Sequence, residues 1–358
     1  MLWHKKGREE GIRRKMEKQE KKGLGEVTQE ELIELESRPK TQAQIVMDYV
    51  ISLLPLVAMG GGILEYLLIP DVGNNGTPMT YVYLIAIFAV AYAIYWLVSF
   101  RNKEKFRKVR YKAPLYTGIM IVLTIYDLLT LKSGKLPLPY FPWVNQIANA
   151  IIGDRVYLVE CTLSTLRLLM LGYLIGAAIG LVTGVACGYS KKINYWISPI
   201  MKFLGPIPTT TWIPVVLVLA SSLFKGSVFI IALGVWYSVA LATITGISNV
   251  DRSYYEAART LGAKSHQLVF RIAIPSAVPS MFQGLHQGMT IACTALMVAE
   301  MMGTESGLGW YITWQKSWAQ YGKMYAAIVL ICIIFTLVIY VLQLIRKFAT
   351  RWQKGVIG

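Results

Sequence analysis

Six stretches of this chain, each 22 to 29 residues long, contain no Asp, Glu, Lys or Arg. They are Val72–Phe100, Leu168–Ser190, Phe203–Phe224, Gly226–Val250, Ile272–Ala299 and Met324–Ile345. About 20 mostly apolar residues carry a helix across the hydrocarbon core of a bilayer, so these stretches read as transmembrane helices. The expected fold class is an all-α integral membrane protein. Composition supports this: 55% of the 358 residues are apolar and 16% charged, whereas a soluble domain is about a quarter charged. The net charge of +16 is therefore not a nucleic-acid footprint, because a nucleic-acid-binding chain would be far less apolar.

Eight spans are expected, at roughly 46–69, 80–100, 113–131, 165–188, 208–223, 227–248, 281–303 and 324–344. With the N-terminus in the cytoplasm, Lys and Arg number eleven in residues 1–44, seven in 101–112, three in 189–204, four in 249–280 and four after 344. The opposite side receives none in 71–79, three in 131–163, one near 225 and two in 303–323. This bias sets orientation and places both termini in the cytoplasm. Most of the net charge is thus a topology signal. The first 44 residues, with eleven basic and nine acidic side chains, are expected to form a solvated, partly helical cytoplasmic tail. There Thr28 and Glu31 fit a capping box and Pro39 is a stop.

Gly172, Gly176, Gly180, Gly184 and Gly188 recur every four residues in the fourth span. That spacing gives one smooth helix face, suited to close helix packing. Pro206, Pro208 and Pro214 surround the start of the fifth span. Each removes a backbone donor, so a kink there serves either a pathway wall or packing around the break. Cys161, Cys187, Cys293 and Cys332 lie singly, which argues against a disulfide framework or a metal site.

The loop between the sixth and seventh spans, residues 249–280, is the most specific segment. Tyr255, Ala258 and Leu261 or Gly262 share one face of a short helix, and Gly262 sits where a helix C-terminus often needs positive φ. Ser265 is placed to cap a second helix, and Pro275 and Pro279 mark the turn into the seventh span. The segment resembles the EAA loop of ABC importer permeases, Glu-Ala-Ala, three residues, Gly, nine residues, Ile-x-Leu-Pro. Glu256-Ala257-Ala258, Gly262 and Ile272 to Pro275 match that spacing, with Ile274 where Leu is usual. Ser164-Thr165-Leu166-Arg167, Pro206-Ile207-Pro208 to Pro214, Ala299-Glu300-Met301-Met302-Gly303 and Gly307-Leu308-Gly309 look like the nitrate/sulfonate/taurine branch of these permeases. The resemblance runs from about Pro139 to Trp352.

What the resemblance implies is a five-helix permease core over 164–358; its members usually carry one span ahead of that core, whereas the apolar runs of this chain give three, in 45–138, followed by an external amphipathic segment in 139–163. Glu256, Ala257, Ala258, Gly262, Ile272 and Pro275 would couple to a separate ATPase subunit that binds ATP and Mg. A second permease copy, identical or similar, would complete the pathway, and an extracytoplasmic solute-binding protein would deliver a small anion or small organic molecule. The setting would be the inner cell membrane, in contact with its lipids and with no nucleic acid. Gly307 and Gly309 would lie near the outer gate.

Glu300 sits within the seventh span, where an ionised acid costs about 3 kcal/mol or more. It either serves a pathway or gate, together with Pro208, Pro214, Gly307 and Gly309, or stabilises helix ends near the interface. No G-x-x-x-x-G-K-[ST] occurs, and Ser133-Gly134-Lys135 lacks the upstream glycine. The chain is therefore expected to bind no cofactor itself, to borrow its ATPase and to carry no catalytic residues. Two alternatives remain at this level, an ion-gradient-driven secondary transporter and a membrane scaffold or sensor acting through the N-terminal tail.

Overall fold

A computed structural model describes residues 42–72 and 79–351. The expectations for the charged tail, including the Thr28–Glu31 box, lie outside the described residues, apart from its last three positions. Every regular element among the described residues is helical. Among the described residues seven helices are long and apolar enough to cross a membrane, and a bent pair brings the number to eight. The chain is a multi-pass membrane protein of the all-α class.

It divides into two compact units, residues 42–62 with 88–121 and residues 63–87 with 122–351. The first three long helices, α1 (Gln42–Leu68), α2 (Met79–Ser99) and α3 (Lys103–Asp127), contribute to both. In the first unit, Ser52 joins α1 to α2. Its carbonyl accepts from Tyr92 Oη at 2.8 Å and its hydroxyl from Trp96 Nε1 at 2.9 Å. The buried Asp48 carboxylate meets Arg110 of α3 at 2.5 Å. An acid inside a span would otherwise be costly, and this pairing explains its place.

In the second unit, α4 (Val144–Gly153) precedes α5 (Arg155–Tyr189), 35 residues long. The fourth span was expected from 165; the helix begins ten residues earlier, because Arg155 to Ser164 continue the backbone ladder beyond the apolar run. Likewise α3 starts at Lys103 and continues through a π-helical turn, Leu128–Lys132. Straight-chain cations are good helix formers and keep their charge in water while their stems cover apolar surface.

The close packing of α5 on α8 (Leu223–Ser248) decides the topology. A Cβ on Gly172 would lie 2.7 Å from Ile231 Cβ, one on Gly180 2.8 Å from Val239 Cβ, and one on Gly188 2.9 Å from Ile247 Cβ. Contact positions rise together along both helices, so α5 and α8 run parallel. The chain from 190 to 222 must therefore return the full length of the pair. It does so as α6 (Lys191–Leu204), a 3₁₀ turn (Thr209–Trp212) and α7 (Ile213–Leu219), with an 83° bend between the two limbs. This corrects the fifth span, expected as one helix over 208–223. The seven residues of α7 reach only about 10 Å, and the missing length is supplied by α6. Its three lysines, Lys191, Lys192 and Lys202, make it read as a loop in sequence.

Beyond the loop containing α9 (Arg252–Thr260), the one-turn α10 (Ser265–Leu268) runs through a π-helical turn (Val269–Ala273) into α11 (Ile274–Gly303). Pro275 and Pro279 were expected to mark a turn into the span. Instead they lie within continuous helix, Pro275 directly after the π-helical turn and Pro279 inside α11. Nor does Ser265 cap: the Gln267 side chain reaches back to accept from Lys264 N at 2.7 Å. α11 runs antiparallel to α8, with Gly246 against Ser280 and Ala277, Gly284 against Ala242, and Gly288 against Val235. Leu169, Ile230, Val235, Val239, Ala292 and Leu296 form the shared core.

The opposite end is closed by α12 (Leu308–Ser317) and the start of α13 (Tyr321–Ala349). Asp154, between α4 and α5, accepts from Tyr311 Oη at 2.7 Å and meets Lys323 Nζ at 2.9 Å. Desolvation alone would raise this carboxyl, but the hydrogen bonds from Lys323 and Tyr311 outweigh it and hold Asp154 below the ordinary aspartate range.

Candidate functional site

The break between α6 and α7 follows from three residues. Gly205 N still donates to Met201 O at 2.8 Å, but Pro206 and Pro208 have no N–H, and Pro208 takes an extended conformation (φ −55°, ψ 132°). The freed backbone lies against the middle of α8. A Cβ on Gly234 would stand 3.1 Å from Thr209 Oγ1, and Gly205 faces the Tyr237 hydroxyl. A side chain at either position would have to displace a neighbouring one, Tyr237 at Gly205 and Ile291 at Gly234. Irregular backbone at mid-depth is tolerated only where protein or a water-filled cavity satisfies it.

A cavity of about 310 Å³ opens at this break. Thr209, Thr210, Trp212, Trp236, Tyr237, Thr290 and Thr294 line it with apolar neighbours, and no charged side chain contributes. A second cavity, about 500 Å³, shares Tyr237 and Ile291 with the first and adds Thr245, Ser280, Gln283 and Gln287. Along α11 the polar lining residues are Ser280, Gln283, Gln287, Thr290 and Thr294, at alternating steps of three and four. That spacing makes one helical stripe, and all but Ser280 are exposed. Near one end of the stripe Arg346 of α13 donates to Gln283 Oε1 at 3.3 Å. Exposed amides and hydroxyls in a span do not face lipid chains without cost; they face water or another protein. The stripe can offer neutral donors and acceptors to a small polar solute.

Pro208 borders this break. Pro214 opens α7, in its first turn, and is exposed. Glu300 lines neither cavity. Its side chain is 1% exposed and turned toward the loop before α12. Oε2 accepts from Gly309 N at 2.8 Å and from Thr165 Oγ1 at 3.1 Å. The Thr165 hydroxyl in turn accepts from Leu308 N at 2.8 Å. Gly307 (φ +121°) leaves no room for a side chain, because a Cβ would run into the Glu300 carboxylate. A Cβ on Gly309 would meet Glu300 Cβ at 2.8 Å. Glu300, Gly307 and Gly309 thus form one cluster with Thr165, separate from Pro208 and Pro214. Glu300→Ala is expected to destabilise the protein by about 3 kcal/mol, combining a cavity with an unpaired Gly309 N–H. Glu300→Gln, which keeps an acceptor oxygen, should cost clearly less. Thermal melting of the two variants checks this.

Most of the 249–264 loop is exposed. Asp251 caps α9 by accepting from Ser253 N at 2.9 Å, and this bond holds its carboxyl below the ordinary range. At the other end Gly262 takes φ +83°, its N–H reaches Arg259 O at 2.9 Å, and Ala263 N reaches Ala258 O at 3.0 Å. These are the paired bonds of a Schellman cap. Tyr255 packs toward Ile247, Ala273 and Ala277. Glu256 and Ala257 are exposed, Ala258, Ile272 and Pro275 half-buried. At the tip Leu261 is 89% exposed and Tyr254 62%, an apolar surface on an otherwise polar loop.

Residues 176–354, half of the chain, match the family described as binding-protein-dependent transport system inner membrane component. The chain belongs to this family. The match starts within α5 and not at Pro139, so α1 to α4 lie outside it. A putative ABC transporter permease of Methanocaldococcus jannaschii is 28% identical over 163 residues, 44% of this chain and 60% of its own. A putative aliphatic sulfonates transport permease of Bacillus subtilis is 32% identical over 107 residues, 30% of this chain and 39% of its own. A nitrate import permease of Synechococcus elongatus is 28% identical over 179 residues, 46% of this chain and 62% of its own. The chain thus spans between 39% and 62% of these relatives' lengths. Within this transport family member, sequence reasoning missed the α11 stripe and the Thr165 bridge. The stripe was legible as a 3–4 polar spacing inside an apolar run; the bridge joins residues 135 positions apart and left no local signal.

Proposed function

We propose that this chain is the membrane-spanning permease subunit of an ATP-driven importer, carrying a small anion or small organic molecule of the sulfonate or nitrate type. The observation that carries the reading is the helix broken at mid-depth, with the uncharged stripe of α11 running from the break. Transporters commonly place solute sites at such discontinuities near the bilayer midplane. Hydroxyls and amides there would bind a solute weakly enough to release it. The pathway would lie between this stripe and a second permease copy, because one copy leaves the polar face uncovered.

The 249–264 loop is the contact with the ATPase subunit. Its cap fixes α9, while Leu261, Tyr254, Glu256 and Ala257 stay free to bury against a partner. With the cation-rich loops in the cytoplasm, this loop faces ATP, and the Glu300 cluster faces outward, toward a solute-binding protein. There Glu300 and Thr165 act as a latch that holds the 304–309 loop. The expected result on purification is a complex with ATPase subunits and two permease chains; recovery of this chain alone from cells co-expressing its ATPase would overturn the reading.

A further inference from the structure

The helices outside the family match bring a second polar cluster together, unrelated to the stripe. The Lys132 ammonium is buried under a ring of acceptors: Tyr66 O at 2.7 Å, Ile69 O at 2.7 Å and Asp71 Oδ1 at 2.6 Å, with the Tyr66 ring 4.6 Å away. An ammonium has three N–H donors, and all three are used. Two more carboxylates, Glu65 and Asp127, lie within electrostatic reach of Lys132, and Glu65 also acts on Asp127. Asp127 is fully buried, yet neither of its oxygens has a hydrogen-bond partner, and neither oxygen of Glu65 has one. The Tyr81 hydroxyl, on a side chain only 1% exposed, is likewise unpartnered and feels both carboxylates. Its ring is held in place by edge contact with Tyr66 and by the bond from Tyr81 N to Asn145 Oδ1 at 3.0 Å.

Five buried oxygens without partners in one place require an explanation, since such groups are normally satisfied by protein, water or an ion. Four are carboxylate oxygens that need a donor or a cation. Lys132 cannot supply it, because its donors are spent. One ammonium against Asp71, Glu65 and Asp127 leaves two negative charges uncompensated, which a divalent ion balances. We propose that Glu65, Asp127 and Tyr81 form a binding site for a hard divalent cation. Among the described residues no three His, Cys, Asp or Glu converge on a metal position; the proposed site has two carboxylates and a phenol, with water completing the shell. Calcium fits it better than magnesium, which keeps several waters and a strict octahedron. The bound ion would tie α1, α2 and the end of α3 together at the extracytoplasmic side.

The test uses the purified full chain in detergent, melted by tryptophan fluorescence in chelator, 1 mM calcium chloride, 1 mM magnesium chloride or matched sodium chloride. Calcium should raise Tm by about 5 °C, with magnesium weaker and sodium inactive, and Asp127→Asn should abolish the rise. Glu65→Gln, at the more accessible ligand, serves the same purpose should Asp127→Asn fold poorly. Tyr81→Phe should weaken calcium binding about tenfold. No shift with either divalent ion would overturn the proposal. So would an equal shift in both carboxylate variants, or a metal-free chain stabilised as much by acidification, which would assign the site to protons.

Discussion

Gly176→Ala is expected to remove most of the folded protein, with at least a tenfold drop in monodisperse material on size-exclusion chromatography. The single added carbon would collide with the Ala232 carbonyl and stand 2.8 Å from Val235 Cβ and 2.9 Å from Ala232 Cα. Two of these neighbours are backbone, so no side-chain rotation relieves the contact. The helices must move apart, and that separates Gly172, Gly180, Gly184 and Gly188 from their partners on α8 as well. Helix association in a bilayer depends on close van der Waals contact in place of a hydrophobic driving force, so the whole seam is weakened. Overpacking of this kind costs about 3 kcal/mol, a large fraction of the stability of any domain. Gly118→Ala is the control. A Cβ there meets nothing within 4 Å, and alanine's helix propensity should make the change neutral or stabilising.

Leu261→Asp is expected to weaken ATPase binding about a hundredfold while leaving the melting temperature of the isolated chain unchanged. The side chain is 89% exposed, so the folded permease loses almost nothing when a carboxylate replaces it. In a complex the same position would be buried, and an unpaired interfacial charge costs several kcal/mol. Glu256→Lys tests the polar side of the same surface. Gly262→Leu should act differently: a Cβ at Gly262 meets no atom within 4 Å, so the cost is about 1–2 kcal/mol of left-handed backbone strain, confined to the loop. Surface-plasmon binding of the ATPase to the three variants measures this. Wild-type affinity for Leu261→Asp and Glu256→Lys together would remove the loop from the interface.

The parts legible in sequence are those fixed by neighbours a few residues away. Gly262 announced its positive φ because the cap it completes is built from residues 258–263. The glycine ladder announced close packing because the four-residue step is itself the geometry. Neither revealed which helix was met or in which direction. The parallel pairing depends on Ile231, Val235, Val239 and Ile247, ordinary apolar residues of α8 with no distinguishing pattern. The fifth span was misread in its extent: Pro206 and Pro208 announced the break, but Lys191, Lys192 and Lys202 made the limb before it read as a loop. Glu300 was visible as an anomaly. Its tie to Thr165 and Gly309 was not, because it joins segments that only the fold brings together.

The measurement that bears most directly on the central claim is solute uptake into proteoliposomes holding this chain with its ATPase subunit and solute-binding protein. The account predicts uptake that requires ATP on the side of the 249–264 loop and is lost with Leu261→Asp. Uptake of the same solute driven by an ion gradient, without ATP and undiminished by that substitution, would contradict it.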